Sequence, residues 1–307
     1  MNSKRPSVSS FSVALATLAL ATISTPISLS AATVIWGGSS GEYTTGANWT
    51  GGSVPNTAGG DTAVINGGAV TYTAGGDLAI NNGGTLQING GSWTQAGGIS
   101  WIQLGGGTLH VTGGAFNQGT AGNLNRNATS AIIVSGGTAS LNGNYTYETA
   151  ATGTLSISGS GTVNIGGEFS PINTFTLSGG TLNIGTLISF SNGPGTINLS
   201  GGTISVNGAS GSSGFYAANA SQGINFSTGS SGTVVIRNSS VAATSGLFTN
   251  GSIQYNGTNS ASQFNVAQVG GDVFITNISA IPEPSAYAAL VALTTLCFAV
   301  TRRRKHA

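Results

Sequence analysis

Charge is the scarcest ingredient of this chain. Lys and Arg number eight and Asp and Glu seven, 5% of 307 residues, where an average protein carries about 25%. Most of the bases sit at the two ends: Lys4 and Arg5 at the front, Arg302, Arg303, Arg304 and Lys305 at the back. Between Thr33 and Ala280 only Arg126 and Arg237 face Glu42, Asp61, Asp77, Glu148, Glu168 and Asp272, so the middle is mildly acidic. Nucleic-acid binding needs clustered bases to neutralise phosphates and is excluded as a partner class. The single cysteine, Cys297, allows neither an intramolecular disulfide nor a cysteine-based zinc site. Long apolar runs are missing from the middle, which excludes a polytopic membrane protein. The low-hydrophobicity, high-charge composition of disordered chains is missing too.

What is abundant is glycine, at 51 residues, far above the ordinary share of roughly 7%. Gly-Gly-Thr stands at 83–85, 106–108, 136–138, 179–181 and 201–203, with Ser-Gly-Thr at 160–162 and 231–233 and Pro-Gly-Thr at 194–196. Starts at 83, 106, 136, 160, 179, 201 and 231 are 23, 30, 24, 19, 22 and 30 residues apart. A loose period in the low twenties is one coil of many parallel β-helices. Each glycine pair permits a tight turn, and apolar alternation follows at once: Leu86 and Ile88, Leu109 and Val111, Leu155 and Ile157, Val163 and Ile165, Leu182 and Ile184, Ile197 and Leu199, Ile204 and Val206, Val234 and Ile236. Period-two placement sends these side chains inward and the Thr, Ser and Asn between them outward. One coil buries too little to stand alone, so the pattern predicts stacked coils with a continuous core. The expected fold is all-β, a single elongated parallel β-helix, right-handed by analogy with known β-helices. A β-sandwich or several small all-β domains is the rival, disfavoured by the lack of linkers.

Residues 33–65 differ from the repeats at 66–280 in carrying Trp36, Trp49, Pro55 and Asp61. Large aromatics suit the cap that a solenoid needs over its first coil. The stretch also resembles the start of passenger-like surface proteins with autotransporter-associated β-repeats. The membrane β-barrel that ends an autotransporter is replaced here by an apolar stretch and arginines.

Both ends read as targeting segments. Residues 1–32 have the form of a secretory signal peptide: Lys4 and Arg5, an apolar stretch from Phe11 to Ile23, and Ser30-Ala31-Ala32 for cleavage after Ala32. At the other end, 281–307, Pro282-Glu283-Pro284 precedes the uncharged stretch Ser285 to Thr301 and then Arg302-Arg303-Arg304-Lys305. Residues 285–301 are just long enough for a membrane-spanning helix, which needs about 17–25 residues. The bases should stay cytoplasmic, leaving everything before the tail on the exported side. These three parts in this order resemble the PEP-CTERM sorting signal of Gram-negative bacteria. The resemblance implies recognition by an exosortase-type sorting enzyme, removal or exchange of the tail near Pro282-Glu283-Pro284, and delivery to the cell surface or extracellular matrix in an exopolysaccharide or biofilm setting. It covers the tail alone and implies no activity for the middle.

The middle offers little chemistry. Glycoside hydrolysis usually needs two nearby carboxylates; Asp61 with Asp77, or Glu148 with Glu168, are the pairs that stacking could align, and turn roles suit them better. His110, between the inward Leu109 and Val111, points outward and has no triad partners in view. No cofactor or metal site is expected: Gly-Gly-Asp at 59–61, 75–77 and 270–272 lacks the repeat that calcium-binding β-rolls need. Trp93, Trp101, Phe116, Tyr145 and Tyr147 could stack on sugars, which makes a glycan-binding adhesin the alternative. Asn48, Asn127 and Asn144 start Asn-x-Ser/Thr sequons to which no role is given. The expectation is a non-catalytic structural protein, with the adhesin second and a polysaccharide lyase or hydrolase third.

Overall fold

The computed structural model describes residues 31–278 apart from 97–101, 120–123, 127–128, 143–144, 147–152, 172, 191–194, 209–213 and 217–221. Most of the signal-peptide segment and the whole tail, Pro282-Glu283-Pro284, 285–301 and the basic cluster, lie outside them. Among the described residues no helix is long and apolar enough to cross a membrane.

The described chain is a parallel β-solenoid. Its first wall stacks Thr33–Ile35, Thr62–Ile65, Thr85–Ile88, Thr108–Val111, Ala131–Val134, Thr154–Ile157, the first half of Thr174–Ile184, the first half of Thr196–Asn207, Gly223–Phe226 and Ile253–Tyr255. The second wall stacks Ser40–Glu42, Ala69–Tyr72, Ser92–Gln95, Ala115–Asn117, Thr138–Leu141, Thr162–Ile165, the second halves of the same two long strands, and Thr233–Arg237. Short strands close the third side, among them Leu78–Ala79 on Ile102–Leu104, and Phe169–Ser170 on Ile188–Ser189.

Alternation decides which side chains make the core. Leu86, Leu109, Ile132, Leu155, Phe175 and Ile197 succeed one another in register along the first wall, all buried. The inward pairs expected from the sequence, Leu86 and Ile88 through Val234 and Ile236, are all buried. Each such side chain contributes about 1.5–3 kcal/mol on leaving water. On the second wall, Trp93 stacks flat on Phe116 with ring centres 4.8 Å apart and planes 5° apart, matching the strand spacing of about 4.8 Å.

The Gly-Gly-Thr repeats mark two different corners. Those at 83–85 and 106–108 lead into the first wall; those at 136–138, 179–181 and 201–203 lead into the second. The 30-residue step from 106 to 136 crosses from the first corner to the second, whereas the step from 201 to 231 joins two second-wall corners through a longer coil. Between walls one and two, Gly68, Gly91, Gly114, Gly137, Gly180 and Gly202 all have φ between +67° and +80°, a region that favours glycine. They pack so closely that a Cβ on Gly114 would overlap the Gly91 carbonyl oxygen, and one on Gly137 that of Gly114. The glycines are therefore required twice, by conformation and by the approach of one coil to the next.

The solenoid reaches further forward than the repeat at 66–280 suggests. Within 33–65, Thr33–Ile35 and Ser40–Glu42 already pair in parallel with the next coil, and the following turn folds back as a lid. At the far end the direction changes. Asp272–Asn277 adds antiparallel to Thr233–Arg237, and Phe264–Val269 adds antiparallel to that strand.

Candidate functional site

Three regions could carry chemistry: the acidic residues, the outward faces and the aromatic rings. The acids are held by their own coils. Glu42 accepts hydrogen bonds from Thr73 N at 3.0 Å and Thr73 Oγ1 at 2.8 Å. Asp61 follows Gly60 in a left-handed turn and accepts from Ala32 N and Asn56 N, both at 2.8 Å. Asp272 accepts from Asn238 N at 3.1 Å, and Glu168 from Ser170 Oγ at 2.6 Å. These hydrogen bonds, from backbone N–H groups for Glu42, Asp61 and Asp272 and from a hydroxyl for Glu168, tie the carboxylates to neighbouring chain segments.

Asp61 and Asp77 do not align. Thr62 lies beside Thr85, so Asp61 stacks under Gly84 and not under Asp77, and Asp77 accepts from Gln103 Nε2. Glu148 lies outside the described residues. A different juxtaposition, unread in the sequence, is Glu42 and Asp77 around Tyr72. Burial first, then these two carboxylates, push the Tyr72 phenol up. Its hydroxyl donates toward Asp77 O at 3.1 Å.

His110 occupies the outward column between Gln87 and Ile133, as alternation requires. Among the described residues no three His, Cys, Asp or Glu side chains group as a metal site would need. Of the aromatics proposed for sugar stacking, Trp93 and Phe116 are fully buried. They belong to an interior stack that runs from Trp36 through Trp49, Tyr43 and Tyr72 to Trp93 and Phe116. Trp101 and Tyr147 lie outside the described residues, as do Asn127 and Asn144, and for Tyr145 the backbone alone is described.

The outward faces are what the coils repeat. Asn89 Nδ2 donates to Asn66 Oδ1 at 2.8 Å and Thr112 Oγ1 to Asn89 Oδ1 at 2.7 Å, each across 23 residues. Asn183 donates to Asn164 at 2.8 Å, Asn225 to Asn198 at 3.2 Å, and Asn238 to Asn207 at 3.0 Å. Beside them runs a threonine column, Thr138, Thr162, Thr181, Thr203 and Thr233, in register on the second wall. Neutral side chains in register cross-bridge without the repulsion that stacked like charges would cause. Asn164 and Asn183 stand two places after Thr162 and Thr181, so their spacing was visible in the sequence; their pairing was not.

Arg237 reaches across the coils, its Nη2 donating to Ile184 O at 3.1 Å. It therefore braces the second wall. Ala32, expected at the end of the signal peptide, is tied to the first coil: besides the bond to Asp61, its carbonyl accepts from Thr62 N at 2.8 Å. No family model matches the chain, and no curated protein and no solved structure matches it either.

Proposed function

We propose that this chain is an exported, non-catalytic structural protein of the cell surface or extracellular matrix. One observation carries the reading: the described acids are engaged within the solenoid, while the outward faces carry runs of cross-bridged neutral Thr, Ser and Asn, interrupted at His110, Ile133 and Val235. Such a surface tolerates contact with other neutral polymers, and its rungs stiffen one another. Exopolysaccharide is the partner this chemistry suits, through many weak hydrogen bonds along the rod rather than through one pocket.

The ends read from the sequence supply the route. A signal peptide cleaved at Ala32 would start export. The tail would hold the chain in the membrane through 285–301, with Arg302, Arg303, Arg304 and Lys305 inside, until an exosortase-type enzyme acts at Pro282-Glu283-Pro284. Replacing Pro282, Glu283 and Pro284 together by Ala tests this in cells. Surface delivery should fall at least tenfold, with an intact-tail form accumulating in the inner membrane. Undiminished delivery of the triple variant would remove the sorting reading and leave the solenoid's role open.

A further inference from the structure

We infer that the C-terminal end of the solenoid is a self-association surface, on which two copies pair antiparallel, edge to edge, through Phe264–Val269. This rests on the described strands alone and stands apart from the export reading.

Phe264–Val269 is the last strand of the second wall. One edge pairs with Asp272–Asn277; among the described residues no strand pairs with the other. The connection is the two-residue turn Gly270-Gly271, with Gly270 at φ 61°. In such a hairpin the flanking Val269 and Asp272 form a hydrogen-bonded pair, and bonded pairs alternate from there. Asn265, Ala267 and Val269 thus turn their backbone groups toward Asp272–Asn277. Phe264, Val266 and Gln268 turn theirs outward.

The other ends of the two walls are covered at specific positions. On the first coil, Ile35 N donates to Thr50 Oγ1 at 3.0 Å and Gly37 N to Asn48 O at 2.8 Å. Glu42 O accepts from Asn48 Nδ2 at 3.0 Å. At the end of the first wall, Tyr255 and Thr258 exchange backbone hydrogen bonds at 2.9 Å. The hairpin edge has no such cover among the described residues.

The open strand also lacks the usual guards. Edge strands are normally protected by Lys, Pro or a bulge, and Phe-Asn-Val-Ala-Gln-Val has no charge and no proline. Exposed large apolar side chains gather here: Val269 is 65% exposed, Ile278 46% and Val241 41%. Val241 adjoins the strand, its N–H donating to Gln268 Oε1 at 3.3 Å.

The occupant that fits is a second copy. The outward groups at 264, 266 and 268 are symmetric about Val266. A two-fold axis there sets Val266 against Val266, Phe264 against Gln268 and Asn265 against Ala267 of the other copy, each outward group meeting its complement. This is the isologous contact of a closed dimer. The absence of charge means that two identical edges meet without repulsion. The second wall would then run through the contact, joining two solenoids end to end.

The test is sedimentation of the full chain in detergent over a concentration series, for wild type and two double variants. Asn265→Lys with Ala267→Lys sets lysine against lysine across the axis and should weaken the dimer about tenfold or more. Asn265→Lys with Ala267→Glu sets lysine against glutamate and should restore it, which separates lost pairing from misfolding. A wild-type chain that stays monomeric, a dimer equally strong with the two lysines, or a failure of the lysine–glutamate variant to recover it would each overturn the proposal.

Discussion

The two ends of the solenoid face the same physical problem, a last coil whose core and strand edges would otherwise meet water, and they treat it differently. At the N-terminal end the chain folds back on itself. Trp49 packs edge-on against Trp36 and Tyr43 at 5.2 and 5.1 Å, its Nε1 donates to Tyr43 O at 2.7 Å, and Thr50 and Asn48 occupy the strand edges. At the C-terminal end Phe264 plugs the core against Phe226 and Phe248 at 5.1 and 5.3 Å, but the strand that carries it keeps an open edge. Plugging a core and closing an edge are therefore separate tasks. The first needs large apolar rings; the second needs donors and acceptors placed across the strand.

The largest effect should come from the corner that both ends depend on. Gly114→Val puts a Cβ onto the Gly91 carbonyl and forces a left-handed backbone at φ 67°. The combined cost is about 4 kcal/mol, and chemical denaturation should show a correspondingly earlier midpoint. An unchanged midpoint would mean the stacked corner is not as close as described.

Next comes the lid itself. Trp49→Ala removes a buried ring with partners on two sides and should cost about 3 kcal/mol. Hydrogen exchange should show the loss at 33–72 and leave 253–278 unaltered. Equal loss at both ends would make the lid part of a global unit rather than a local cover.

The smallest effect is a difference in alkali. Burial pushes the Tyr43 phenol up, as burial and the Asp77 and Glu42 carboxylates do for Tyr72. Above pH about 10 the unfolded phenols ionise while the folded ones keep their protons. The folded state then binds more protons, so stability falls as pH rises, by up to about 1.4 kcal/mol per pH unit for each group. The Phe226, Phe248 and Phe264 rings carry no ionisable group, and Tyr255 beside Phe226 is only half-buried. Exchange above pH about 10 should open the N-terminal end first, and Tyr43→Phe should reduce the effect.

Much of this was legible in the sequence. Alternation placed the inward side chains correctly because a half-buried strand leaves a period of two whatever its neighbours are. His110 was placed outward by the same argument. The corners were harder. Gly-Gly-Thr serves two turns that differ in which glycine is left-handed: Gly83 and Gly106 before the first wall, but Gly137, Gly180 and Gly202 before the second. Glycine permits both, so the motif alone could not tell which wall follows. Strand direction was invisible: Phe264–Val269 and Asp272–Asn277 alternate like the parallel strands, and Val-Gly-Gly-Asp looks like the other glycine turns. Burial of Trp93 and Phe116 could have been read from their inward parity, since each follows an outward Ser92 or Ala115. The polar ladders depend on register between coils, which no local pattern encodes.

The reading of the chain as an exported structural rod is tested most directly by mass-spectrometric mapping of both termini of protein recovered from the cell surface or medium. The account predicts an N-terminus at or next to Thr33 and a C-terminus close to Pro282-Glu283-Pro284. A chain that keeps its tail through Ala307, found in the inner membrane and absent from the surface, would contradict it.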